Sequence, residues 1–268
     1  MSVDKVVGSA AEAVADIPDG ASLAVGGFGL AGIPNILIEA LLEQGASGLT
    51  VVSNNCGVDG AGLGLLLERG RIDRVIASYV GENKEFARQY LAGELTVELT
   101  PQGTLAERLR AGGAGIGAFF TPTGVGTMVS EGGLPWRYHP DGTVALASPP
   151  KEVRTFHGKE MVLEESIVTD VALVRAAVAD RAGNCVFHAS SRNFNPDAAM
   201  AGRLTLVEAE RLVEVGEIGP DEVHLPGVFV QRVLALTPEQ AVRKEIEKRT
   251  TRGDRPDVAD APAVERSR

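Results

Sequence analysis

The chain has 268 residues, of which 44% are hydrophobic and only 4% aromatic, with 32 glycines and a formal net charge of −10. That length accommodates one large α/β domain, or one domain with a smaller lobe, and the acidic balance lacks the Lys/Arg stripe that would neutralise a phosphate backbone, which argues against nucleic acid as a partner. No run of about 18 apolar residues and no basic segment before an apolar one argues for a membrane span or a leader, so a cytoplasmic protein away from membranes is expected.

From about residue 3 to residue 121, SLAVGG, LTVVS, RVIASYV, LTVEL and AFFTP read as strands, with PNILIEALLEQG, GLGLLLERG, NKEFARQYLAG and TLAERLRAGG as the helices between them. This alternation predicts an α/β fold with an open, mainly parallel sheet flanked by helices. Pro34 suits a first helical position, and Gly45, Gly70, Gly93 and Gly112 suit the residue just past a helix end. After residue 122 the texture changes to a Gly/Pro-rich loop, TPTGVGTMVSEGGLPWRYHPDG, and then to EVRTFHGKEMVLEE, a hairpin turning at His157-Gly158-Lys159. Residues 122–165 are thus expected to form a small lobe or flap. VALVRAAVA and TLVEAERLVEV read as strands, NPDAAMAGRL as a helix, and VFVQRVLAL as the strand that completes the sheet. One domain over residues 1–249 and a mobile polar tail over 250–268 are expected, with no internal repeat.

Cys56 and Cys185 are too few for a disulfide framework and form no C-x-x-C pair, so they read as small buried apolar residues. His139, His157, His188 and His224 are dispersed, without the i, i+4 spacing of a zinc site, and no metal is expected. The G-x-S-x-G turn of a serine hydrolase is also missing.

The most informative stretch is DGASLAVGGFGLAGIP, from Asp19 to Pro34. Gly27, Gly29 and Gly32 satisfy G-x-G-x-x-G between a strand and a helix, which in isolation fits either a dinucleotide fingerprint or a tight turn with close helix packing. A dinucleotide site wants an acidic residue at the end of the second strand, where this chain has Ser53-Asn54-Asn55. An NAD-dependent oxidoreductase is therefore a remote alternative.

The complete string, an acidic-Gly turn and apolar strand positions followed by GGF-x-x-x-G-x-P, resembles the A-half signature of the family I coenzyme A transferases. LTVVSNNCGVDGAGLGLLL, the block from SYVGENKEFARQYL to AFFTPTGVGT, and SSRNFNPDAA resemble the A half of the succinyl-CoA:3-ketoacid type in the same order, up to about residue 237. Glu82-Asn83-Lys84-Glu85 resembles the ketoacid enzymes, whereas LPGVFVQRVLALT resembles the 3-oxoadipate type. A 3-oxoadipate or acetate/butyrate-type enzyme thus stays open.

The resemblance implies a substrate that is a coenzyme A thioester, with no tightly bound cofactor, and CoA transfer from succinyl-CoA to a 3-oxoacid such as acetoacetate. It also implies a partner, the B half of the transferase, in an A2B2 or higher assembly, because the family's nucleophilic glutamate sits in an S-E-N-G motif of that half. Glu131, in Ser130-Glu131-Gly132-Gly133, mimics that motif but reads as a surface-loop glutamate. The A half is expected to supply oxyanion-stabilising amides, Gln102 in the TPQGT turn and Asn54 and Asn55 after LTVVS, although turn and cap chemistry would equally use Asn there. Gly26, Gly27, Phe28, Gly29, Leu30, Ala31 and Gly32 would wall the acyl-CoA cleft, with absent Cβ atoms admitting the ligand to the backbone. Lys84 and Arg192 are candidate carboxylate partners. A non-catalytic scaffold retaining the fold is a third reading.

Overall fold

The computed structural model describes residues 4–81 and 83–244, so Glu82 and the expected tail lie outside the described residues. The amino-terminal part alternates as the sequence predicts: β1 (Val6–Val7), α1 (Ala10–Val14), β2 (Ser22–Val25), α2 (Asn35–Gln44), β3 (Leu49–Val52), α3 (Gly64–Glu68), β4 (Ile72–Ala77), α4 (Lys84–Leu91), β5 (Thr96–Leu99) and α5 (Gln102–Gly113). Then come β6 (Ala118–Thr121), α6 (Met128–Glu131), β7 (Pro135–Tyr138), β8 (Val144–Ala147), β9 (Val153–Phe156) and β10 (Lys159–Glu165). β11 (Thr169–Asp180), β12 (Cys185–Val186), α7 (Asn195–Ala201), β13 (Gly202–Val213), β14 (Arg232–Ala235) and α8 (Pro238–Val242) close the described chain.

The main sheet has nine strands in the order β1-β14-β13-β11-β2-β3-β4-β5, with β12 off this path on β11. All of its pairings are parallel except β11 with β12. Both faces are buried, which explains why the strands read as near-continuous apolar runs. Leu23, Val25, Val51, Val75 and Val97 join Leu37, Leu41, Leu67 and Phe86 in one layer. Ala24, Val52, Ile76 and Val174 alternate to the other side, where they join Leu105, Leu109, Ala198 and Ala199 in a second. The period of two along each strand thus divides helices α2 to α4 from α5 and α7.

AFFTP departs from the expectation of a parallel-sheet strand. β6 instead pairs antiparallel with β10, and β10 pairs with β9, in a separate three-stranded sheet. Its burial is shallow, with Ala118 exposed and Phe119 and Phe120 half-buried, so this aromatic run covers a thin sheet. The β9–β10 hairpin turns through His157 and Gly158, both left-handed with φ of 52° and 76°. That is the backbone a two-residue hairpin loop requires, and His157 tolerates it less well than Gly158 does. The stretch read as loop after residue 122 contains α6 and β7, which pairs with β8.

Several boundaries also move. Pro34 caps α2 rather than occupying its first turn, and Gly45 closes it at φ 98°. Gly112 is not a helix terminator: it lies inside α5, because a Cβ there would come 1.9 Å from the Ile167 carbonyl oxygen. Gly115, at φ 74°, takes the left-handed role after the helix. NPDAAMAGRL stays helical only to Ala201, and β13 begins at Gly202, where Ala172 on β11 leaves no room for a Cβ.

Candidate active site

Because β2, β3, β4 and β5 run parallel, their carboxyl ends open along one edge of the sheet, where open α/β folds gather their sites. Two adjacent loops there use the same device. After β2, Phe28 and Ala31 exchange backbone hydrogen bonds, N–H to O at 3.0 and 2.9 Å. After β3, Val58 and Ala61 do the same at 3.3 and 3.2 Å. Left-handed glycines bracket both loops, Gly27, Gly29 and Gly32 in the first and Gly57, Gly60 and Gly62 in the second. The underlying pattern G-x-x-x-A-G occurs at residues 27–32 and 57–62, a short repeat that the sequence reading missed. The two loops also touch, since a Cβ at Gly62 would sit 3.5 Å from Leu30 and Ile33 side-chain carbons.

Beyond the end of β3, Asn54 and Asn55 are both 2% exposed. The Gln102 amide donates to Asn54 Oδ1 at 2.7 Å, and the Ser78 hydroxyl donates to the same oxygen at 2.8 Å. Asn54 is thereby joined to the ends of β5 and β4. Gln102 itself is exposed and forms the first residue of α5 rather than part of a free turn. An amide nitrogen carries two hydrogens and Asn54 takes one, so the other is free to address a ligand. Asn55 is committed inward, with its amide donating to Gly57 O at 3.2 Å, and so shapes the second glycine loop.

The placement of α5, and with it Gln102, rests on charge. Arg108, two turns along α5, reaches Glu98 on β5 at 2.7 Å and the Glu165 carbonyl at 2.8 Å, while Arg74 on β4 holds the second Glu98 oxygen at 2.6 Å. Burial, the largest influence on Glu98, would raise its pKa, but the Arg108 and Arg74 guanidiniums outweigh it and hold the carboxyl below its ordinary value.

The glycine loop is gripped from within the protein. The space freed by the missing Cβ atoms of Gly26 and Gly32 is taken by the Asn195 amide, and that at Gly27 by Ile33, so these three glycines serve internal packing. Leu30 is buried and Ala31 exposed, while Phe28 at the tip is 47% exposed. Asn195, at the start of α7 in the SSRNFNPDAA block, is fully buried. Sequence reasoning used that block for resemblance, for Arg192 and for the start of a helix, and gave Asn195 no role. The available signal was its run of closely spaced polar residues ahead of Pro196.

The other candidates separate. Lys84 begins α4 and Arg192 ends a short 3-10 turn, both exposed. Arg192 lies close enough to the Asp197 carboxyl to affect its titration, which marks Asp197 as a neighbour. Glu131 is exposed and closes α6, a helix end rather than a loop. Cys56 and Cys185 are free and buried, and burial pushes each thiol up to about 12. Among the described residues no cluster of His, Cys, Asp or Glu could hold a metal ion, and no helix is long and apolar enough to cross a membrane.

Chemically, this edge offers donors. The amides are neutral, the Ser53 hydroxyl is spent on Val25 O at 2.9 Å, the Ser78 hydroxyl is spent on Asn54, and the Cys56 thiol is held neutral. Such groups can stabilise a developing oxyanion.

Comparison with known proteins bears on the family and the fold. The coenzyme A transferase family profile matches residues 7–236. A Mycobacterium tuberculosis protein, named as the probable A chain of a succinyl-CoA:3-ketoacid coenzyme A transferase, is 63% identical over 250 residues, covering 93% of this chain and 100% of that one. The human mitochondrial succinyl-CoA:3-ketoacid coenzyme A transferase 2 is 54% identical over 239 residues, but the match covers 89% of this chain and only 46% of the human protein. The crystal structure of the acyl-CoA transferase YdiF from Escherichia coli O157:H7 superposes with a TM-score of 0.74 at 23% identity, over 91% of this chain and 50% of that one. At that identity the likeness speaks to the fold.

Proposed function

This chain belongs to the coenzyme A transferase family, and from that premise we propose that it is the A half of a two-subunit enzyme that moves CoA from succinyl-CoA to a 3-oxoacid such as acetoacetate. The observation that carries the proposal is the edge itself: Gln102 is fixed by Asn54 with an N–H to spare, and the neighbouring hydroxyls and thiol are unavailable as nucleophiles. We assign the nucleophile to a complementary half. The human relative fits this arrangement, since the match to this chain accounts for about half of its length.

In this reading a glutamate carboxylate of the B half attacks the thioester carbonyl, and the CoA thiolate departs to leave an acyl-glutamyl anhydride. The thiolate then attacks the glutamyl carbonyl, which expels succinate and forms an enzyme-CoA thioester. The 3-oxoacid carboxylate repeats the two steps in reverse. Each acyl transfer passes through a tetrahedral oxyanion, on the substrate acyl carbon or on the glutamyl carbon, and a donor aimed at one of these oxygens is worth a few kcal/mol. Gln102 is assigned that donation. Asn54 orients Gln102, and Asn55 and the segment Gly26–Gly32, with Phe28 at its tip, form the wall of the acyl-CoA cleft. No tightly bound cofactor enters this scheme. We further assign a cytoplasmic A2B2 or higher assembly.

The experiment is complementation. The purified chain alone is expected to show no transfer from succinyl-CoA to acetoacetate, and adding a B half that carries the S-E-N-G glutamate to restore it. Full turnover by the isolated chain would overturn the assignment of the nucleophile to a partner.

A further inference from the structure

The glycine loop is held at both ends by one side chain. Asn195 Nδ2 donates to Gly32 O at 3.0 Å and to Ser191 O at 2.9 Å, which uses both of its hydrogens. Its Oδ1 accepts the backbone N–H of Arg175 on β11 at 3.1 Å. The same amide lies over the loop's first and last glycines: a Cβ would fall 2.0 Å from Asn195 Oδ1 at Gly26, and 2.9 Å from Asn195 Nδ2 at Gly32. Asn193 adds a lighter hold, donating to Ala31 O at 3.0 Å.

Arg175 extends the grip to the helix that leaves the loop. Its guanidinium meets Glu208 on β13 at 3.1 Å, and the second Glu208 oxygen accepts the first N–H groups of α2, from Ile36 and Leu37, at 2.9 and 3.0 Å. One buried chain of bonds therefore runs from the loop through Asn195 and Arg175 to Glu208 and back to the start of α2. At the loop's outer end Phe28 and Ala31 pair with each other, so the position of the tip follows from the anchoring of the loop's base. Gln102 is fixed separately, by Asn54 and through it by Ser78, which keeps the loop's support apart from that of the oxyanion donor.

We propose that Asn195 is a positioning residue for acyl-CoA binding, which acts by locking the glycine loop so that Phe28 is presented at the mouth of the cleft. This rests on the assignment of the chain as the A half of a CoA transferase. With the loop as a wall of the acyl-CoA cleft in that assignment and the oxyanion donor held elsewhere, its loosening weakens ground-state and transition-state binding alike and appears in KM more than in kcat.

The test uses the assembled two-subunit enzyme with Asn195→Ala and Asn195→Asp. The alanine variant is expected to raise KM for succinyl-CoA about 10-fold or more with kcat within about 3-fold, and to speed amide hydrogen exchange at Phe28 and Ala31. The aspartate variant keeps the acceptor for Arg175 but lacks the donors until protonated. Its KM defect should shrink as pH is lowered, a dependence that a merely structural role would not produce. Asn193→Ala, which removes the bond to Ala31 O and the 3.4 Å contact from Asn195 Nδ2 but keeps the Asn195 side chain, should raise KM about 2- to 5-fold. It decides the question where the Asn195 variants fail to fold. Folded variants with KM within about 2-fold of wild type at every pH, and unchanged exchange in the loop, would overturn the proposal. Failure of the assembled wild type to transfer CoA would instead overturn the functional reading, and the exchange measurement would still decide whether Asn195 holds the loop.

Discussion

Asn54→Asp isolates electrostatics from architecture. The substitution keeps an acceptor oxygen for Gln102 Nε2 and Ser78 Oγ, now 2.7 and 2.8 Å away, and gives up only the 3.5 Å contact from Asn54 Nδ2 to Asn55. Gln102 therefore stays in place. With its two hydrogens about 120° apart and bonds of about 2.8 Å on each side, the oxyanion it addresses lies roughly 5 Å from the introduced carboxylate. At an effective dielectric of about 20, repulsion between two unit charges at that distance is about 3 kcal/mol, which lowers kcat on the order of 100-fold. The assay is steady-state transfer by the assembled enzyme, normalised to folded protein because a carboxylate at this buried position also costs stability. Protonating the carboxyl removes the repulsion, so activity relative to wild type should recover as pH falls. A folded variant with kcat within about threefold of wild type across the pH range would refute Gln102 as the oxyanion donor.

Two further outcomes test the scaffold. Gly112→Ala should lower the melting temperature despite the better helix propensity of alanine, because the added Cβ meets the Ile167 carbonyl at 1.9 Å; overpacking of this kind costs about 1–3 kcal/mol, or roughly 2–10 °C in a domain of this size. A higher melting temperature would show that α5 can move off Ile167. Glu208 supplies a pH test: burial pushes its carboxyl from 4.5 to about 7, against the pull of Arg175 and the α2 N–H groups. A raised folded-state pKa contributes stability that is full below about 4.5 and lost as pH rises through about 7. In urea unfolding, the stability of the wild type relative to Glu208→Gln should accordingly fall by on the order of 2–3 kcal/mol between pH 5 and pH 8. A difference that does not change with pH would show that Glu208 stays ionised throughout.

The parallel sheet was legible because its information is local. Strands buried on both faces read as apolar runs, and glycines after α2, α3 and α4 marked real helix ends. Gly112 looked the same in sequence and was misread, because what demands a glycine there is the Ile167 carbonyl, 55 residues away along the chain. The same limit applied to β6: Ala118–Thr121 has a strand composition, but its antiparallel partner β10 begins at Lys159, and no local pattern announces that pairing.

The site divides along the same line. Gln102, Asn54 and Asn55 could be named because the family resemblance implies them, each just past a recognisable strand, and the sheet order then brings the ends of β3, β4 and β5 together. Asn195 could not, since its meaning lies in bonds to residues 163 positions away at Gly32 and 20 away at Arg175. The glycine loop illustrates why this matters for function. Its spacing imitated a cofactor fingerprint because both uses need φ > 0 and close backbone approach, but a dinucleotide loop leaves the space of its second glycine to the pyrophosphate. Here Asn195 fills the Cβ space at Gly26 and Gly32, and Ile33 fills it at Gly27. The loop is therefore shaped by its own protein, and the part of it left exposed is the tip that carries Phe28.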